Sequence, residues 1–335
     1  MVDMSVRDLI IVGAGPSGLS AAIAAKQRDL DYQVLEQGVL VNSIYRFPPQ
    51  MVFFTTPERL EIGGLPFVSP YEKPTRGEAL NYYRKVVEKY DVQISYEETV
   101  LSVLQEDDRF AVETRSSRGI RRARHARNVL FAIGYYDHPN LIGVPGEDLP
   151  QVHHYYSEPH AYFRKRVVIV GGGNSAAEAA LESYRAGAYV TLVHRRPELK
   201  SSIKYWVKPD IENRIREGSV TARFNTCVTE IRPTSIIVRT AGADNDYRDQ
   251  ELPADAVLLL TGYRSDSNLL RAAGIHLNER CEPAYDPQTF ETNVPGLFVA
   301  GGAVTGVDTR DIFIENGRFH GEKIAQVIAD RISRL

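Results

Sequence analysis

Two short glycine-rich stretches carry the residue types that could do chemistry in this chain. They are Gly13-Ala-Gly15-Pro16-Ser17-Gly18 and Gly171-Gly-Gly173-Asn174-Ser175-Ala176. Each follows an apolar run, Asp8-Leu-Ile-Ile-Val12 or Arg166-Val-Val-Ile-Val170, and each precedes an Ala-rich stretch that reads as a helix. Gly13 and Gly171 permit a tight turn, and Gly15 and Gly173 let the backbone approach a pyrophosphate. Gly18 and Ala176 let the helix lie close to its strand. Unpaired N–H groups at the helix start then face the anion. One such motif is weak evidence. Two, each between a strand and a helix, predict a pair of dinucleotide cradles.

The ends of the next strands separate the two ligands. Tyr32-Gln-Val-Leu-Glu36 places a carboxylate 21 residues after Gly15, with Gln37 beside it, where it can accept hydrogen bonds from ribose hydroxyls. Val190-Thr-Leu-Val-His194 ends instead in Arg195-Arg196. A carboxylate there would repel a 2′-phosphate, whereas two guanidinium groups would pair with it. The first cradle therefore reads as an FAD site and the second as an NADPH site; a merely solvated strand end is the alternative for the arginines. Tyr45, Phe53, Phe54 and Thr55 are candidates for the flavin face, with plain core packing as the other reading. Gly134, Gly262 and Gly301 end further apolar strands and join the cofactor-binding set. So does Ile312, since a helix start near 309–312 would aim its positive end at the flavin.

These motifs need a scaffold, and composition allows one. The chain has 335 residues, 43% hydrophobic and 25% charged, with a formal net charge of −3. That balance suits a globular protein of about two domains and favours neither nucleic acid nor an anionic membrane. The first residues are too few and too charged for a signal peptide, and no apolar run approaches the ~18 residues of a membrane span. Two cysteines cannot build a disulfide framework, so a reducing cytoplasm is expected. The eight histidines are scattered, and no metal site is expected.

Residues 100–133 read as antiparallel strands, with Arg118, Arg121, Arg122, Arg124 and Arg127 on a solvent-facing turn and strand. A long helix is expected from about 310 to 332, with Gly317 and Gly321 on one face for close approach to another element. The expected fold class is α/β with two Rossmann-like dinucleotide-binding domains. Residues 1–143 and 267–335 would form a discontinuous FAD-binding domain, and 146–264 an inserted NADPH-binding domain.

Beyond the glycine turns, several segments are distinctive. They include Tyr45-Arg-Phe-Pro48, Glu58-Arg-Leu-Glu-Ile-Gly63, Lys73-Pro-Thr-Arg76, Ile203-Lys-Tyr-Trp206, Asp210-Ile-Glu-Asn-Arg214 and Ile312-Phe-Ile-Glu-Asn-Gly-Arg318. Through them the chain resembles the thioredoxin-reductase-like flavoproteins, and among these the bacillithiol-disulfide reductase family (YpdA type). The resemblance spans nearly the whole chain. It implies FAD, NADPH, reduction of a small-molecule disulfide or a small redox protein, and homo-oligomers. Three departures bear on mechanism. There is no Cys-x-x-Cys, only Cys227 and Cys281, 54 positions apart. Ser17 stands where many members of the resembled family have cysteine, and a serine cannot form a mixed disulfide. Gly301 is followed by Gly302, where related flavoproteins usually have an Asp for the flavin's ribityl chain; the YpdA-type family resembles this chain in lacking it, which leaves the backbone, Asp308 or Asp311 to make that contact.

Alternative functions remain. A ferredoxin/flavodoxin–NADP reductase of the thioredoxin-reductase type needs no cysteine. A flavin monooxygenase is loosely suggested by Pro145-Gly-Glu-Asp-Leu-Pro-Gln-Val-His-His154, although the motif spacing is not met. A flavin-binding sensor with little turnover is a reading from another class.

Overall fold

A computed structural model describes residues 6–242, 246–307 and 312–334. The chain divides into two compact units, residues 1–138 with 263–335, and residues 139–262. The short strands β7 (His138–Pro139) and β16 (Tyr263–Arg264) lie at the two crossings.

The first unit is built on β1 (Val6–Val12), which pairs in parallel with β2 (Tyr32–Leu35) on one side and β6 (Arg121–Phe131) on the other. Beyond β2 lies β3 (Ile94–Ser95). Beyond β6, β5 (Arg109–Ser116) and β4 (Glu98–Glu106) continue as an antiparallel meander. β17 (Leu297–Val299) runs parallel to the last residues of β6. Leu9 and Ile11 pack into one core cluster and Ile10 and Val12 into another. A strand buried on both faces must be apolar throughout, as this one is.

α1 (Pro16–Lys26) and α8 (His320–Ile332) lie together over that sheet. Gly321 permits the contact, because a Cβ there would sit 2.3 Å from the Ala21 backbone nitrogen. α3 (Arg76–Tyr90) begins with a full capping box, in which Thr75 and Glu78 satisfy each other's backbone N–H groups. The short helices α2 (Asn42–Tyr45) and α6 (Ser267–Ala272) complete this region.

One expectation needs correcting. The helix foreseen over 310–332 is two helices, α7 (Ile314–Gly317) and α8, broken at Arg318 and Phe319. Gly317 lies so close to Gly301 that its Cβ would be 3.1 Å from the Gly301 Cα, so the chain turns there instead of continuing past it. The arginines of the turn and of β6 face solvent as expected, except Arg124, which is half-buried, and those of the strand are paired as well as solvated. Arg124 and Arg122 reach the buried carboxylate of Glu98, Arg121 pairs with Glu113 at 2.9 Å, and Arg127 pairs with Asp8 at 2.9 Å.

The second unit centres on β9 (Arg166–Val170) in a parallel sheet. β10 (Tyr189–Val193) and β11 (Thr221–Arg223) lie on one side, β15 (Ala256–Leu259) and β8 (Val152–His153) on the other. One face carries α4 (Asn174–Arg185) and α5 (Lys208–Arg216). An antiparallel sheet of β12 (Thr226–Arg232), β13 (Ser235–Ala241) and β14 (Tyr247–Pro253) supplies residues to the core cluster of the other face.

Candidate functional sites

In the first unit, the turn after β1 is pinned to the end of β2. The Gly13 N–H donates to the Leu35 carbonyl at 2.8 Å. Gly13 has φ +108°, and a Cβ there would meet the Ala132 carbonyl at 2.5 Å. A Cβ on Gly18 would lie 2.0 Å from the Gly13 oxygen, so the turn itself excludes a side chain. Gly15 is different: among the described residues, nothing lies within 4 Å of its missing Cβ. The open space therefore falls in front of Gly15, at the start of α1, where a pyrophosphate would fit. Pro16 occupies the first helical position, where a missing N–H costs nothing.

Glu36 is buried, 5% exposed, and already carries structure. Its Oε2 accepts from the Ala14 N–H and its Oε1 from the Gly38 N–H, both at 2.8 Å. Burial pushes its pKa up, against those two N–H groups, and Asp137 adds to the rise. Each oxygen keeps a further lone pair for a ribose hydroxyl. Gln37 donates to Asp137 at 3.0 Å, and Arg46 pairs with the same carboxylate at 2.6 Å. Asp137 is thus an organising residue that carries no motif of its own.

The end of β17 meets this turn. Gly301 has φ +58°, and a Cβ on it would lie 2.3 Å from Ser17 Oγ. Its N–H donates to Nδ1 of His320 at 3.1 Å in a buried bond. Gly13, Gly15, Ser17, Gly18, Glu36 and Gly301 are therefore brought together, and Gly134, with φ +64°, ends the neighbouring strand.

The aromatic candidates divide. Phe53 is a core residue, which corrects its place on the flavin face. Tyr45 is exposed with the Arg76 guanidinium 5.5 Å from its ring, and Phe54 and Thr55 are half-buried. Ile312 precedes α7 by two residues and packs on the core, so it does not begin a helix. Thr309, Asp308 and Asp311 lie outside the described residues. A cavity of about 790 Å³, lined by residues including His276, Arg280, Glu282 and Tyr285, shares only Ile312 with the foreseen cofactor positions.

In the second unit, the Gly171 N–H donates to the Val193 carbonyl at 3.0 Å, and a Cβ on Gly171 would meet the Leu260 carbonyl at 2.5 Å. The middle glycine, which the motif does not single out, is equally constrained. A Cβ on Gly172 would penetrate the His194 ring, at 2.3 to 2.5 Å from three of its atoms. Gly173 is open, with only Lys200 Cδ at 3.9 Å. Gly-Gly-Gly followed by a histidine at the next strand end was the signal for this contact.

His194 is buried, and its Nε2 has no hydrogen-bond partner among the described residues. Burial lowers its pKa, reinforced by Lys200, Arg195 and Arg196. The two arginines are exposed on a backbone held by the bond from the Asn225 N–H to the Arg196 carbonyl, 3.1 Å. Asn174 has a job beyond touching a ligand: its Oδ1 accepts from the Lys204 N–H at 2.9 Å. With the Lys200 N–H bonded to the Gly172 carbonyl at 3.0 Å, this ties the segment 200–204 to the turn. Ser175 is exposed in the first turn of α4, and Ala176 packs beneath Gly171. Gly262, with φ +95°, ends the strand region after β15. Farther along α4, burial and Glu182 push Glu178 up to about 7, opposed by Lys204.

Cys227 is exposed on β12, and Cys281 is half-buried with an Arg271 nitrogen 3.6 Å from its sulfur; neither is in a disulfide. Among the described residues, no group of His, Cys, Asp and Glu could hold a metal ion, and no helix is long and apolar enough to cross a membrane.

Comparisons with known proteins identify the family. The family described as pyridine nucleotide-disulphide oxidoreductase matches residues 10–301. The chain is 42% identical over 327 residues to bacilliredoxin reductase Bdr of Bacillus subtilis, covering 96% of this chain and 97% of that one. It is also similar to the solved structure of bacillithiol disulfide reductase Bdr (YpdA) from Bacillus cereus. There the TM-score is 0.94 at 39% identity, covering 98% of this chain and 100% of that one. A ferredoxin–NADP reductase of Ignicoccus hospitalis is 26% identical over 306 residues, 88% of this chain and 90% of its own.

Proposed function

The chain belongs to the pyridine nucleotide-disulphide oxidoreductase family, and from that premise we propose that it is an FAD-containing, NADPH-dependent reductase of a low-molecular-weight disulfide of the bacillithiol type. The net reaction consumes NADPH, a proton and one disulfide, and yields NADP⁺ and two thiols. The supporting observation is the contrast between two glycine turns of similar build. One has a buried carboxylate at its second strand, Glu36, and the other a pair of exposed guanidinium groups, Arg195 and Arg196.

FAD, when bound, supplies the two-electron relay between nicotinamide and disulfide. The residues of this chain bind and orient. Gly15 and the start of α1 would hold the flavin nucleotide's pyrophosphate, and Glu36 its adenosine ribose. Gly173 and the start of α4 would hold that of NADPH, with Arg195 and Arg196 on the 2′-phosphate. Tyr45, Phe54 and Thr55 would border the flavin. Ser17 brings a hydroxyl and no thiol, and no other cysteine accompanies it in the turn. The chain therefore contributes no sulfur there, and the acceptor disulfide would meet the cofactor directly or be served by an external thiol partner. The name of the Bacillus subtilis relative adds a bacilliredoxin as the protein form of that acceptor. A homo-oligomer in a reducing cytoplasm is the working form we propose, and light scattering of the purified protein tests the oligomer.

The test is anaerobic stopped-flow. NADPH should bleach the yellow protein, and bacillithiol disulfide should restore the colour within turnover time. Protein that stays colourless after incubation with FAD, or that prefers NADH, overturns the reading. Faster reoxidation by ferredoxin, or oxygen uptake with a lasting flavin hydroperoxide, would put one of the alternative activities in its place.

A further inference from the structure

Gly301 and Gly302 follow β17 with no side chain to fix the turn they form. The Ala300 N–H still belongs to the sheet, donating to the Phe131 carbonyl at 3.0 Å. The Gly301 N–H is the first beyond it, and in the left-handed conformation, φ +58°, it points into the protein. A buried backbone donor without an acceptor is costly, so something must receive it. Nδ1 of His320 does, at 3.1 Å.

The imidazole is itself held in place. The Phe290 ring stacks on it with centroids 4.1 Å apart and planes 23° from parallel. Phe290 is locked in turn by its N–H to the Asp286 carbonyl at 2.7 Å, and by its carbonyl, which accepts from the Val299 N–H at 3.1 Å. The next residue, Gly321, seats α8 on α1. Two successive residues of α8 therefore fix the two walls of one turn. His320 holds Gly301, and Gly321 holds the helix that carries Ser17. To accept at Nδ1 the ring must be neutral with its proton on Nε2. Burial favours that form.

We propose that His320 is a positioning residue for the flavin site: by accepting the Gly301 N–H it fixes the left-handed turn that closes over Ser17 at the start of α1. This rests on the assignment of FAD to the first glycine turn. The role assigned to His320 runs through the Gly301 backbone.

The test uses three substitutions. In His320→Asn, the amide Oδ1 occupies the place of Nδ1 and keeps the acceptor. In His320→Gln, the oxygen occupies the place of Nε2, and in His320→Leu there is none. Each variant is first checked for native circular dichroism. FAD titration of the deflavinated chain should give a Kd within about twofold of wild type for Asn, and about tenfold weaker for Gln and Leu, the scale of one hydrogen bond. Hydrogen exchange of the segment 297–303 in the FAD-free chain should quicken in Gln and Leu and not in Asn. Wild-type values for folded Leu, or an Asn variant as damaged as Leu, would overturn the proposal. Should Leu not fold, the Asn and Gln pair decides. If wild-type protein takes up no FAD, the function proposed above falls, and the proposed role of His320 at a flavin site falls with it. The exchange data then report only whether His320 holds the turn.

Discussion

Gly321 offers a prediction whose sign depends wholly on tertiary structure. In an exposed helix, replacing glycine by alanine stabilises by roughly 0.5–1 kcal/mol, because the unfolded chain loses freedom. At Gly321 the new methyl would sit 2.3 Å from the Ala21 nitrogen, 2.6 Å from its Cα and 2.8 Å from its Cβ. The first two are backbone atoms of α1 and cannot rotate away. Ordinary contact needs more than 3.4 Å, so α8 must retreat by about 1 Å along its length. Overpacking of that kind costs about 1–3 kcal/mol. The contact outweighs the propensity, and Gly321→Ala should be destabilised by about 1–2 kcal/mol. Gly77, at the exposed start of α3, is the control, since its Cβ would meet only Thr75 Oγ1 at 3.9 Å. Gly77→Ala should gain a few tenths of a kcal/mol. Urea unfolding of the apoprotein, read on the transition of the first unit, measures both. Because α1 opens at the flavin turn, Gly321→Ala should also weaken FAD binding. A Gly321→Ala protein as stable as wild type would refute the close packing of α1 and α8.

Three further outcomes are expected. Replacing Arg195 and Arg196 together by Gln should raise the KM for NADPH by about a hundredfold through loss of charge-assisted hydrogen bonds, leaving the KM for NADH unchanged; steady-state kinetics with both nucleotides decides this. Gly172→Ala drives a methyl into the buried His194 ring, whose backbone is held by the Arg223 carbonyl at 2.9 Å and the Thr226 N–H at 3.1 Å. NADPH affinity should fall roughly tenfold while the bound flavin absorbance stays at its wild-type level. Burial lowers His320 from its usual value to about 4. The neutral ring is thus favoured in the folded state, and its contribution is complete above about pH 6.5 and lost as pH falls through about 4. The difference corresponds to about 3 kcal/mol, and the acid limb of the stability profile should flatten between those values in His320→Asn.

Much was readable without coordinates because it is written locally. The apolar runs at 8–12 and 166–170, the glycine turns after them and the Ala-rich stretches beyond read as strand, turn and helix from residue type and order along the chain. The meander of β4, β5 and β6 follows from alternation and turn residues. Glu36 was identifiable because its spacing from Gly15 is set by one helix and one strand. Other features have no local signature. Phe53 and Phe54 are the same residue type in adjacent positions, yet one fills the core and the other is half-buried, a choice made by which face of the chain meets the Pro74 carbonyl.

The amino-acid order by itself determined the two strand–turn–helix units and the opposite charges at their second strands, since those depend on neighbours within a few tens of residues. Only the folded chain decided that Asp137 organises Gln37 and Arg46, and that residue 301, secured by residue 320, lies beside residue 17. Such pairings join segments as far apart as residues 17 and 301. They are fixed by how helices and sheet ends close on one another, and a pattern of apolar and polar positions along one segment holds no record of what another segment will bring to it.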